Sequence, residues 1–175
     1  MKLIYGIIIT FCLILFFARS SVAIAPVPLN ENIQYIAILT GDEVIPPQNT
    51  GAYGKAFFGV NEDLTQLTYR IEVYNLYDVL MATIRLGFPG KEGPLVVWLF
   101  PESPPPTPLK IKGRFDGVLA EGNITHDRLV GRLYGQSLSA LIQEIKNGRA
   151  FVQVDTLLHQ IGELRGQIEP LFYSE

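Results

Sequence analysis

A period of two is the feature that most constrains this chain. Leu67, Tyr69, Ile71 and Val73 fall on one face of an extended segment, and Thr68, Arg70, Glu72 and Tyr74 on the other. That is the pattern of a strand with one side turned to a core. Short runs of similar character recur at residues 33–39, 55–60, 81–88, 95–100, 111–119, 128–134, 151–156 and 163–168. Turn-forming stretches separate them, among them Asn61-Glu62-Asp63, Pro89-Gly90-Lys91-Glu92-Gly93 and Glu121-Gly122-Asn123. About eight or nine short strands at this spacing, with no strand–helix alternation, predict an all-β fold, an antiparallel Greek-key β-sandwich or else a Greek-key barrel. One segment departs from the pattern. Leu138, Leu141, Ile142 and Ile145 recur at helical spacing behind Ser137 and Ser139 and ahead of Gly148, which predicts a short helix with a serine N-cap and a glycine stop. The stretch from Pro101 to Pro108 is rich in proline; it lacks ladder donors and predicts an extended surface loop.

The N-terminus predicts a destination. Lys2 precedes an apolar run from Leu3 to Phe17, broken only by Gly6, Thr10 and Cys12, and small-residue sites follow at Ser21-Val22-Ala23 and Ala23-Ile24-Ala25. This is a signal-peptide pattern over residues 1–25, with cleavage after Ala23 or Ala25 and a single mature domain over 26–175. The apolar run is shorter than the roughly 20 residues a spanning helix needs, and Arg19 ends it, so no membrane attachment is expected after cleavage. Cys12, the one cysteine, leaves with the peptide. No disulfide is then available, and packing and sheet hydrogen bonds must hold the secreted fold.

Composition removes several function classes. Fourteen Lys and Arg against 17 Asp and Glu give a net charge of −3, and no basic run appears, so nucleic acid is not an expected partner. Two histidines and one cysteine exclude a cysteine-based zinc site, an iron–sulfur cluster and a disulfide framework. His126 and His159 belong to no short ligand cluster. Ser137 and Ser139 lie in no strand-turn-helix elbow and read as capping residues. Gly87, Gly90 and Gly93 are not followed by Gly-Lys-Ser/Thr and read as turn glycines.

Three separated segments carry a resemblance. The opening is Leu39-Thr40-Gly41-Asp42-Glu43-Val44-Ile45-Pro46-Pro47 with Thr50, Gly51 and Gly54; the centre is Ala82-Thr83-Ile84-Arg85-Leu86-Gly87 with Gly93-Pro94-Leu95-Val96-Val97. The ending is Gly148 to Thr156, then Gly162-Glu163-Leu164-Arg165-Gly166-Gln167-Ile168. In order and spacing these are similar to the CHRD domain, the module named after chordin and also found in secreted bacterial proteins. The resemblance implies an extracellular β-sandwich with no established catalytic activity. It also implies three histidines, in Ala-His-Ile-His-x-Gly and in a strand ending His-Thr. Here those positions hold Thr83, Arg85 and Asp155, a set that cannot bind a transition metal, so no metal and no cofactor is expected.

Strand parity suggests what replaces the histidines. Thr83 and Arg85 share one face of their strand, Gln153 and Asp155 one face of theirs, and Glu163, Arg165 and Gln167 one face of the last. If the family topology brings these faces together, they form a polar pocket of Thr83, Arg85, Gln153, Asp155, Glu163 and Arg165. The expected centrepiece is a bidentate Arg85–Asp155 ion pair, extended by Glu163 and Arg165. Two functions are then open. The preferred one is a non-catalytic binding or structural module whose partner is an extracellular protein or an envelope polymer, contacted through loops such as Tyr74 to Asp78 and through Tyr53, Tyr74, Tyr77 and Trp98. The alternative is a carboxylate-dependent extracellular hydrolase using Asp155 and Glu163. Nearby arginines count against it, because they would lower carboxylate pKa values where a general acid needs one raised.

Overall fold

The computed structural model describes residues 33–102 and 111–171. The expected signal peptide and most of the proline-rich loop lie outside the described residues. Strands run at Tyr35–Leu39 (β1), Tyr53–Val60 (β2), Leu67–Leu86 (β3), Leu95–Phe100 (β4), Ile111–Ile124 (β5), Ala150–Thr156 (β6), Leu164–Gln167 (β7) and Glu169–Pro170 (β8), with one α-helix, Leu138–Lys146 (α1). Every pairing is antiparallel. Among the described residues the all-β class with a single α-helix therefore holds. The strands belong to one continuous sheet that folds back until β1 and β7 meet, where the backbones of Thr40 and Arg165 exchange two hydrogen bonds of 2.9 and 3.0 Å.

β3 organises this sheet. Two expected strands, 67–74 and 81–88, are one strand of 20 residues. The residues between them make bulges rather than a turn. Asn75 and Asp78 adopt positive φ of 55° and 51°, a conformation that short polar side chains tolerate better than most. The register with β5 slips beside both residues, and such slips bend a strand without ending it. The first half of β3 pairs with β2 and β5, and the second half with β4 and β6. Tyr74 to Asp78, expected as a loop, is thus a bulged part of β3. Residues 128–134 are also not the expected strand. They form 3-10 turns at His126–Arg128 and Gly131–Leu133, where Gly131 has φ +57°, and Leu129 and Leu133 still reach the core.

The core lies inside the folded sheet. Ala37, Leu39, Ala56, Phe58, Ile71, Val73, Ile84, Val152, Val154 and Leu164 are fully buried there, and Leu138, Leu141, Ile142 and Ile145 of α1 pack into the same cluster. Ser137 occupies the N-cap position, but its hydroxyl bonds Ser139 Oγ rather than a helix N–H. Gly148 stops the helix as expected. With φ +64° it donates to Ile145 O, and Arg149 N–H donates to Glu144 O, the paired bonds of a Schellman turn. That turn delivers the chain directly into β6.

Closure of the sheet needs a glycine on β7. A Cβ on Gly166 would sit 2.2 Å from the carbonyl oxygen of Ile38 on β1 and 3.0 Å from Leu39 Cδ2, and the β1 carbonyl is backbone that cannot swing aside. Gly166→Ala should lose about 2–4 kcal/mol of stability in chemical denaturation, whereas Gly90→Ala, with open space around its Cβ, should lose no more than about 1–2 kcal/mol for its positive φ.

Candidate functional site

β6 is buried on both faces along its whole length, which is unusual for a strand in which alternate residues are polar. Val152 and Val154 face the core. Phe151, Gln153 and Asp155 face the other way and are equally hidden. Register explains what surrounds them. Thr83 of β3, Gln153 of β6, Arg165 of β7 and Thr40 pair successively across the sheet, and Arg85, Phe151 and Gln167 do the same one step along. Paired residues project to the same side, so a polar sheet face forms opposite the apolar core.

Two loops cover this face. Residues 41–52 lie over one end, where Val44 is buried beside Gly162 and Gln153. Glu163 fastens that loop, its carboxylate accepting from Thr50 Oγ1 at 2.7 Å and from Thr156 Oγ1 at 2.6 Å. Residues 87–94 lie over the other end and are held by their own carbonyls. Arg85 Nε donates to Gly93 O at 2.9 Å, Arg165 Nη2 to Lys91 O at 2.8 Å and Phe88 O at 3.3 Å, and Gln167 Nε2 to Gly87 O at 3.0 Å.

Arg165 is the centre of the arrangement. It is 1% exposed, and its guanidinium lies 3.8 Å from the Phe151 ring centroid, a desolvated cation–π contact. Glu92 is its counter-ion, 3.9 Å from Nη1. Burial pulls its pKa below the ordinary arginine value, while Glu92 and Glu43 oppose this; an arginine remains charged regardless. Its Nε and Nη1, together with Gln153 Oε1 and Thr83 Oγ1, are buried without a hydrogen-bond partner in the protein. These atoms come from three strands in consecutive register.

The expected Arg85–Asp155 ion pair does not form. Arg85 is half-buried and gives its Nε to Gly93 O. Asp155, 2% exposed, accepts instead from Gln153 Nε2 at 2.7 Å. The reason is the roof: a loop carbonyl within reach captures Arg85, and the charge of Arg85 acts on Asp155 only at a distance. Glu163 and Arg165 do not extend a carboxylate–guanidinium network either, since Glu163 binds two threonine hydroxyls and Arg165 binds carbonyls and a ring. The expectation that neighbouring arginines lower the carboxylate pKa is also corrected for Asp155. Burial raises it to about 6, against the opposing effects of the Gln153 hydrogen bond and of Arg85. Parity located the polar face, and Phe151 shares the parity of Gln153 and Asp155; its stacking on Arg165, the approach of Glu92 and the capture of loop carbonyls carry no period-two signal, and reasoning from strands alone missed them.

Among the described residues, no group of three or more His, Cys, Asp or Glu gathers to hold a metal. Of the aromatics considered as a contact surface, Tyr53 and Tyr74 stack at 5.2 Å, Tyr53 and Tyr77 are exposed, and half-buried Trp98 of β4 pairs with Thr83 at the end of the polar row.

Two outcomes are expected. Between the unfolded carboxylate pKa near 3.8 and about 6, the folded chain keeps a proton on Asp155 that the unfolded chain has lost. Stability therefore falls as pH rises through that window, by about 2–3 kcal/mol in total. Asp155→Asn, which preserves the acceptor for Gln153, should abolish this slope and melt above the parent protein at pH 7. Arg165→Met should speed amide hydrogen exchange in residues 87–94 by about tenfold or more while β3 and β6 keep their protection, because the loop loses its donor and the core loses nothing.

The family model for the CHRD domain matches residues 35–168. No curated protein and no solved structure matches the chain.

Proposed function

Because the chain belongs to the CHRD domain family, we propose that it is an extracellular binding module without catalytic activity, exported by the segment ahead of residue 26. One observation supports this reading above others. Of the residues at the histidine positions that the resemblance implies, Thr83 and Asp155 are at most 2% exposed, as are their neighbours Gln153 and Arg165; the third, Arg85, is half-buried, and Arg85 and Arg165 hold a loop from beneath. A group that substrate cannot touch has no catalytic use, whereas a loop fastened by its own carbonyls is a rigid presenting surface. The partner is an extracellular protein or an envelope polymer, met at the surface of the domain rather than inside it.

The hydrolase reading has one observation in its favour, the raised pKa of Asp155, since a general acid at neutral pH needs such a shift. Access counts against it. Asp155 is 2% and Glu163 7% exposed, and both Glu163 oxygens are occupied by hydroxyls.

Expression of the full chain in a secretion-competent host should yield extracellular protein whose N-terminus follows Ala23 or Ala25. That material should turn over no glycoside, ester or peptide substrate. Turnover that Asp155→Asn or Glu163→Gln abolishes would replace the binding reading with the hydrolase.

A further inference from the structure

The loop that Arg85, Arg165 and Gln167 fasten from below has an outer side. Gly87, Phe88, Lys91, Glu92 and Pro94 form one wall of an open cleft of about 510 Å³; Arg132, Leu133 and Gln136, with Glu144 and Arg149, form the other. Its charges are not balanced. Glu144 is fully engaged by Arg149, with bonds of 2.8 and 3.0 Å, and Glu92 is the counter-ion of buried Arg165. Lys91 and Arg132 are exposed, and among the described residues neither side chain has a hydrogen-bond or ion-pair partner. Two unpaired cations thus line one cleft whose acids have other cationic partners, Glu144 through hydrogen bonds and half-exposed Glu92 through a 3.9 Å contact, in a protein with net charge −3.

The cleft also offers a flat apolar face. Phe88 is 54% exposed, and the Arg149 guanidinium lies over one face of its ring, 5.9 Å from the centroid. We infer that this cleft binds an acidic oligosaccharide segment, with Lys91 and Arg132 taking its carboxylates and the Phe88 ring stacking on a sugar. Open, polar walls suit a hydrated polymer better than an apolar small molecule, which needs an enclosed pocket. An acidic peptide fits less well. Peptides commonly gain affinity by hydrogen bonding to exposed main chain, and the loop carbonyls of Gly87, Phe88, Lys91 and Gly93 are already taken from beneath. The clamp has a second effect, because a wall ordered before binding loses little entropy on binding.

This inference rests on the binding-module reading and names its ligand class. It is tested by calorimetric titration of the exported protein with oligogalacturonate, a neutral oligogalactoside of equal length, and oligoglutamate. Saturable binding of oligogalacturonate alone is expected, weakened by added salt and by about tenfold in each of Arg132→Ala, Lys91→Ala and Phe88→Ala. All three replaced side chains are solvent-exposed, so the variants should fold normally. Absence of saturable binding, or binding that Arg132→Ala and Lys91→Ala leave unchanged, would overturn the inference while export and lack of turnover still support the module. Equal affinity for oligoglutamate with no effect of Phe88→Ala would assign the cleft to acidic peptides instead.

Discussion

A buried guanidinium stacked on a phenylalanine is the contact on which the functional end of this domain depends. Arg165 brings a full charge to a place that water does not reach, and removal from water is costly for any ion. The Phe151 ring, the carbonyls of Phe88 and Lys91, and Glu92 offset that cost. Each of these partners constrains something in return. The ring packs on the guanidinium, the carbonyls fix the loop, and Glu92 is shared between Arg165 beneath and the outer cleft that it lines with Lys91 and Arg132. An interaction beneath the loop thereby sets the charge balance above it.

The same contact is tied to closure of the sheet. The backbone of Arg165 forms the two-bond bridge to Thr40 that joins β7 to β1, while its side chain reaches the opposite end of the polar face. Gly166 permits the strands to approach, and the bulges at Asn75 and Asp78 turn β3 so that its two halves can serve both ends of the sheet. Asp155 sits in this assembly as a buried carboxyl without a cationic contact, and burial raises its pKa to about 6. The polar row of Thr83, Gln153 and Arg165 here holds a loop. Four buried atoms of the row have no protein partner, a local cost that the surrounding packing must outweigh.

Local pattern is what made the fold legible. The alternation from Leu67 to Val73 identified the strand and its inward face, the spacing of Leu138, Leu141, Ile142 and Ile145 identified α1, and Gly148 marked its end, because each of these signals is written within a few residues. The motifs around Thr83, Asp155 and Glu163 identified the family for the same reason. The merging of two expected strands into β3 was less legible, since Asn75 and Asp78 suit a turn as well as a bulge and only pairing partners distinguish them. The run 128–134 looked apolar enough for a strand, yet its backbone found only isolated bonds, such as Val130 N–H to Val96 O.

By itself the sequence determined the all-β class, the helix, and the faces on which Thr83, Arg85, Gln153, Asp155, Glu163 and Arg165 lie, because side-chain direction along a strand follows from parity. Tertiary structure alone decided which of those charges meet. Arg85 took a loop carbonyl, Asp155 an amide, and Arg165 an aromatic ring. Each choice depends on the position of residues 87–94 above the sheet, and a loop's path is set by long-range closure, which leaves no periodic trace in the chain.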